Sequence, residues 1–279
     1  MDPFIVLFLL AFIWIVAATI QDVRTTEIAD WLTFSLIGLG LSYRVVYSIV
    51  SGDIAFFWFG LVGFGFFSAL GYLFYYGHVF AGGDVKLLVG LGAVLPAASY
   101  FDIIVYGFGL IALVFLSGMV WSLAYTVYRV AQRPGPLMND FPRELRIKKG
   151  FMLLVVLAAL VCFVLFASFN AISGLLFALA ILFVGLLFVY VRVFERHYLI
   201  RLKKPRELME GDWLVSAVSV HARTLEPTVH GLTKDDIVWL RKHKKSVVIR
   251  DGIAFTPGFL LGFALFELIY YRIISLPFI

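Results

Sequence analysis

A chain of 279 residues that is 62% hydrophobic, 17% aromatic and only 15% charged, with a mean hydropathy of +0.98, carries too few polar side chains to cover a water-soluble globule. Its solvent over most of its length is lipid. The net charge of +5 gives no argument for nucleic acid, and the single cysteine, Cys162, excludes both an internal disulfide framework and a four-thiolate zinc site.

A membrane-spanning helix needs roughly 20 apolar residues. Taken in chain order, the hydropathy pattern predicts spans over 3–20, 31–50, 54–76, 85–99, 102–128, 151–169, 172–193 and 256–273. The first has Asp2 where a signal peptide carries basic residues, so it is read as an uncleaved span. The fourth, of about 15 residues, would reach roughly 22 Å, short of a hydrocarbon core of about 30 Å, which puts its start at or within the membrane surface. The fold class expected is all-α: a polytopic bundle of about eight transmembrane helices with a small cytosolic segment before the last. The chain divides into a core at 1–128, a basic cytosolic loop at 129–150, an additional hairpin at 151–194, a small cytosolic region at 195–255 and the last helix at 256–279. Within 195–255, Thr233 to Asp236 read as the cap of an amphipathic helix and 246–250 as a strand.

The connectors alternate in charge. Those at 51–53, 100–101 and 170–171 hold no Lys or Arg, whereas the others collect all of the 23 basic residues except Arg44 and Arg272. By the positive-inside rule the basic face is cytosolic, which requires both ends outside and an even number of spans. The charge is thus explained by topology and by attraction to anionic membrane lipid.

Ionisable groups at the ends of spans are the informative ones, because lipid makes them costly. Asp22 closes the first span and Asp84 opens the fourth, both on the basic face. Two carboxylates brought close cannot both ionise readily and share a proton; one then deprotonates water while the other protonates an amide carbonyl. The helix dipole favours Asp84 as the base, although such a pair titrates as one unit. Gly82 and Gly83 would allow unusual backbone conformations and close approach of an extended substrate. Position alone leaves plainer explanations open: Asp84 as a helix cap, Asp22 as a surface charge pairing with Arg24. Glu27 and Asp30 are candidates for attracting a basic ligand, or simply a solvated turn. Lys86, two residues beyond Asp84, cannot face it on a helix; it snorkels or pairs with Asp22. His78 is an interfacial anchor or a tuning group. His221 and His230 have no thiolate near them in sequence, so no metal or other cofactor is expected. Gly60, Gly63, Gly65 and Gly71 in the third span predict close helix packing.

Asp22-Val23-Arg24 with Ile28 and Trp31-Leu32-Thr33, followed by Gly82-Gly83-Asp84-Val85-Lys86-Leu87-Leu88, resembles the archaeal prepilin and preflagellin peptidases. These are relatives of the bacterial type IV prepilin peptidases, intramembrane aspartic proteases with a GxGD-type motif. Glu210 to Leu214, Gly231 to Thr233, and Ile249 to Phe255 with Pro257 resemble the C-terminal region of the archaeal proteins. The resemblance implies that Asp22 and Asp84 are the catalytic pair, supported by Gly82, Gly83 and Lys86. It also implies that the substrates are prepilin- or preflagellin-type precursors, cut between a basic leader and an apolar segment at the cytosolic face of the cell membrane. Ala81 departs from the motif's usual first glycine, and the 151–194 hairpin is extra. The competing class is a transporter or channel relaying protons or cations through the same two aspartates, which would call for broken helices and an internal repeat that the sequence does not show.

Overall fold

The computed structural model describes residues 2–25, 27–77, 79–168, 170–220, 223–228 and 231–271. His78, His221, His230, Arg272 and the predicted end of the last span lie outside them. In chain order the helices are α1 (Pro3–Thr25), α2 (Asp30–Ser51), α3 (Ile54–Tyr76), α4 (Gly82–Val94), α5 (Tyr100–Gln132), α6 (Gly135–Ile147), α7 (Lys149–Ala167), α8 (Ala171–Phe194), α9 (Lys234–Lys242) and α10 (Thr256–Tyr270). Among the described residues five short strands lie between α8 and α10: β1 (Ile200–Lys203), β2 (Trp213–Leu214), β3 (Val218–Val220), β4 (Arg223–Leu225) and β5 (Val247–Arg250). Among the described residues six helices, α1, α2, α3, α5, α7 and α8, are long and apolar enough to cross a membrane, while α10 is a shorter apolar helix. The chain is therefore a polytopic, helical membrane protein. Two compact units make it up: one from 1–124 with 253–279, the other from 125–252.

In the first unit each helix boundary has a local cause. Pro3 opens α1, where its missing N–H costs nothing. The buried residues of α1, Leu7, Phe8, Ala11, Ile15, Ala18 and Asp22, recur at three- and four-residue steps, so Asp22 is the last member of the stripe that faces the bundle. Gly52, at φ 73°, ends α2 in the left-handed region, and the Asp53 carboxylate caps α3 by accepting from the Ala55 N–H at 3.0 Å. α3 and α4 meet through small residues. A Cβ on Gly63 would lie 2.7 Å from the Gly92 carbonyl oxygen, and one on Gly71 would lie 3.0 Å from Val85. Gly65, expected in the same role, has nothing within 4 Å and faces open space.

α4 is shorter than expected. It stops at Val94 rather than continuing to residue 99, because Leu95 precedes Pro96 and adopts an extended ψ of 130°. At 13 residues, roughly 20 Å, its last carbonyls end inside the bundle. Arg44 of α2 satisfies them. Its side chain is fully buried, Nε donating to Ala93 O and Nη1 to Phe56 O, each at 2.8 Å, while Nη2 donates to Leu95 O. The guanidinium also lies 4.8 Å from the centre of the Phe56 ring, and Gly60 leaves room for the side chain. Arg44, one of the two basic residues set apart from the basic face in the sequence, is the cap of a helix that ends at depth.

The second unit corrects the expected 129–150 loop. α5 extends to Gln132, α6 fills 135–147 and α7 begins at Lys149, so most of the segment is helix. Its prolines do not prevent this: Pro134 and Pro136 stand at the start of α6, where proline is tolerated, and only Pro142 lies inside. α7 and α8 pack as a hairpin, with Asn170 capping α8 and Gly185 set against Val155. After α8, β1, β5 and β2 form an antiparallel sheet in that spatial order, and α9 carries the expected Thr233 and Asp236 capping box. The motif residues of this region serve the fold. Lys203, 3% exposed, pairs with Asp212 at 2.8 Å and Asp251 at 3.4 Å; Gly211 and Gly231 take left-handed φ values of 86° and 72° where their two loops cross.

Candidate active site

α1 packs on α2, α4 and α10, and α4 packs on α3 as well, which brings the end of α1 and the start of α4 to the same end of neighbouring helices. Asp22 lies in the last turn but one of α1 and is buried, 7% exposed. Asp84 lies in the first turn of α4 and is half-buried. The two are close enough that the Asp22 charge acts on the Asp84 carboxyl.

Asp84 keeps a capping contact at the head of α4, whereas Asp22 is held by another helix. Ala81, not Asp84, is the cap residue of α4 and makes no side-chain cap bond; Asp84 stands three positions later, its carboxyl facing the Ala81 N–H. Asp22 is held by α10 rather than by Arg24. Its Oδ2 accepts from the Thr256 hydroxyl at 2.8 Å and from the Thr256 N–H at 3.3 Å, and the Thr256 carbonyl in turn accepts from the Thr19 hydroxyl at 3.4 Å. Both carboxylates therefore sit at helix N-termini, Asp84 on α4 and Asp22 against α10, and the dipole does not separate their roles.

The glycines act by size. Gly82 and Gly83 are ordinary helical residues; the positive φ values among the described glycines belong to Gly52, Gly211 and Gly231. A Cβ on Gly83 would come within 3.3 Å of Ile28, whereas Gly82 has nothing closer than 3.8 Å. Ala81, at φ −71° and ψ 162°, has a backbone any residue adopts, so the missing first glycine leaves the turn unstrained. Lys86 reaches across to Asp30 at the start of α2 and forms an exposed ion pair with it, not with Asp22. Glu27 lies exposed in the connector between α1 and α2, which the Gln21 side chain braces by accepting from the Ala29 N–H at 3.3 Å.

One partner of Asp22, Thr256, is not among the residues the sequence singles out, nor are Phe80 and Trp121, which pack around the start of α10. Phe80 stacks on Phe115 at 5.2 Å between ring centres and touches Phe255 and Phe259, and Trp121 donates to the Ala254 carbonyl at 2.9 Å. Together they fix the start of α10. A threonine directly ahead of Pro257, opening an apolar helix, was the one local signal available. Among the described residues no three His, Cys, Asp or Glu side chains gather as a metal ion would require.

The model of the type IV leader peptidase family matches residues 9–124, which include Asp22, Asp84 and every helix from α1 to most of α5. The chain is 35% identical to the preflagellin peptidase of Methanocaldococcus jannaschii over 89 residues, 32% of this chain and 38% of that protein. To the preflagellin peptidase of Methanococcus maripaludis it is 33% identical over 82 residues, 29% of this chain and 35% of the relative. The similarity thus spans little more than a third of either curated relative. Residues 9–124 are thus similar to the type IV leader peptidase family.

Proposed function

We propose that this protein is a membrane aspartic endopeptidase that removes the basic leader from preflagellin- or prepilin-type precursors, with Asp22 and Asp84 as its catalytic pair. One observation carries the reading: a buried Asp22 at the end of α1 and Asp84 at the start of α4, on helices that pack together, both inside the family-matched residues. The curated relatives, both preflagellin peptidases, support the substrate class.

The chemistry needs one proton shared by two carboxyls. The ionised member takes a proton from water as the water oxygen bonds to the scissile carbonyl carbon. The protonated member gives its proton to the carbonyl oxygen, leaving a neutral tetrahedral diol. On collapse, the carboxyl that gained the water's proton passes it to the departing nitrogen. The C–N bond breaks, a diol hydroxyl returns its proton to the other carboxylate, and the pair again holds one proton.

The substrate's shape suits this depth. A precursor with an apolar helix lays that helix in the bilayer and keeps its basic leader at the headgroups, so the junction lies at the membrane surface. Glu27 and Asp30, at the α1–α2 connector, supply negative charge for the leader, and Lys86 competes for Asp30. Gly83 lets the Ile28 side chain pack directly on the start of α4, tying the α1–α2 connector to it. The concentration of Lys and Arg in 129–149 and 192–250 supports a cytosolic site.

The test is co-expression in membranes with a precursor carrying a basic leader and an apolar segment. Leader removal by the wild type, its loss in both Asp22→Asn and Asp84→Asn, and insensitivity to chelators are expected. Full processing by either variant would return the two aspartates to a structural or ion-relay role.

A further inference from the structure

The last helix of the unit, outside the matched residues 9–124, makes the closest polar contact to Asp22. Two donors of one residue, the Thr256 hydroxyl at 2.8 Å and the Thr256 N–H at 3.3 Å, converge on a single oxygen, Oδ2. Thr256 is fully buried, and its neighbours immobilise it. Trp121 holds the Ala254 carbonyl, Phe255 packs on Phe80 and Phe259, and Gly258 meets the backbone of Gly118 so closely that a Cβ would lie 2.6 Å from the Gly118 Cα. A carboxylate on a side chain with two rotatable bonds is otherwise free to turn. Here one edge is fastened to a helix end that cannot shift.

We propose that Thr256 is a positioning residue of the peptidase site: by fixing Oδ2 of Asp22 it presents the other oxygen, Oδ1, to the water shared with Asp84. This rests on the proposed proteolysis and adds a division of labour within it. An oxygen that accepts two hydrogen bonds is poorly placed to exchange a proton with water. The reactive lone pair of Asp22 is therefore on Oδ1, and its direction is set by Thr256. Orientation of a reacting group acts on the chemical step more than on substrate binding.

Purified protein in lipid, given a precursor with a basic leader ahead of an apolar segment, provides the measurement. Thr256→Val keeps the branched shape and the N–H but removes the hydroxyl; Thr256→Ala removes it with a smaller side chain; Thr256→Ser keeps it. The expected result is a kcat about 10- to 100-fold lower for both Val and Ala with KM within about twofold, and Ser within about threefold of wild type. Loss in Val alone, or a rise in KM alone, would assign Thr256 to packing or binding and overturn the proposal, as would wild-type kcat in Val. A variant that melts at the wild-type temperature in detergent yet is slow argues for positioning; one whose activity loss tracks lost folded protein, with Ser no better than Val, argues against it. Absence of processing by the wild type itself would overturn the proteolytic reading and this inference with it. Wild-type processing that Asp22→Asn abolishes and Thr256→Val leaves intact would sink the inference alone.

Discussion

Arg44 shows what a hydropathy profile cannot weigh. In the sequence it is one basic residue in an apolar span, and its natural assignment is a charge that escapes to the surface. In the structure its five N–H donors find three carbonyls, those of Phe56, Ala93 and Leu95, and two of these belong to the end of α4, where helical geometry leaves C=O groups without partners. The planar fork suits divergent acceptors; a lysine ammonium at the end of a flexible chain does not. Arg44→Met should therefore destabilise the protein by about 3 kcal/mol or more, since buried carbonyls are left unmatched, and Arg44→Lys should recover only part of that loss. Unfolding followed in detergent micelles measures both. Wild-type stability in Arg44→Lys would mean that a single charge, rather than the fork, holds α4. Asp22 carries the complementary lesson. It is legible as a candidate because it closes the first apolar span, yet its partner Thr256 lies 234 residues away, marked locally only by the proline that follows it.

At the scale of elements, most boundaries were readable because each has a nearby chemical cause. α3 is predicted and found at Ile54–Tyr76, between the Asp53 cap and Gly77, and the α2–α3 turn follows from Gly52 and Asp53. The failures arise where tertiary contacts decide. α4 ends five residues early at the Leu95–Pro96 step, an end tolerated at depth because Arg44 donates to its free carbonyls, and α6 forms within a basic segment expected as loop. Contact geometry also splits the glycines of α3, which composition treats alike. A methyl group at Gly63 would press on the Gly92 carbonyl oxygen at 2.7 Å and push α3 from α4; at Gly65 it would meet nothing. Gly63→Ala should cost about 1–3 kcal/mol, and displacing α4 should slow leader removal as well. Gly65→Ala should be neutral or stabilising by up to about 1 kcal/mol, because alanine is the better helix former. Equal effects of the two substitutions would show that α3 and α4 do not meet on the face described.

At the scale of the whole molecule, the distribution of charge predicts an orientation that individual helices do not. Arg129, Arg133, Arg143, Arg146, Lys148 and Lys149 gather around α6, further basic residues fill 192–250, and the connectors at 51–53, 100–101 and 170–171 have none. Moving a cluster of this kind through a bilayer is costly, so the positive-inside rule predicts that it stays in the cytosol. The single native cysteine makes the consequence directly measurable. In a Cys162→Ala background, single cysteines at the exposed positions Ser51 and Asn170 should react with a membrane-impermeant maleimide added to intact cells. Cysteines at Gly135 and Lys242, also exposed in the structure, should react only after the membrane is opened. These four sites sample both compact units, so a common pattern would orient each of them independently of how they pack. The reverse pattern would place the ends of α1 and α4 that carry Asp22 and Asp84 on the outer surface, where a basic leader held on the cytosolic side could not reach them. Proteolysis of such precursors would then be excluded by topology alone, whatever the chemistry of the two carboxyls.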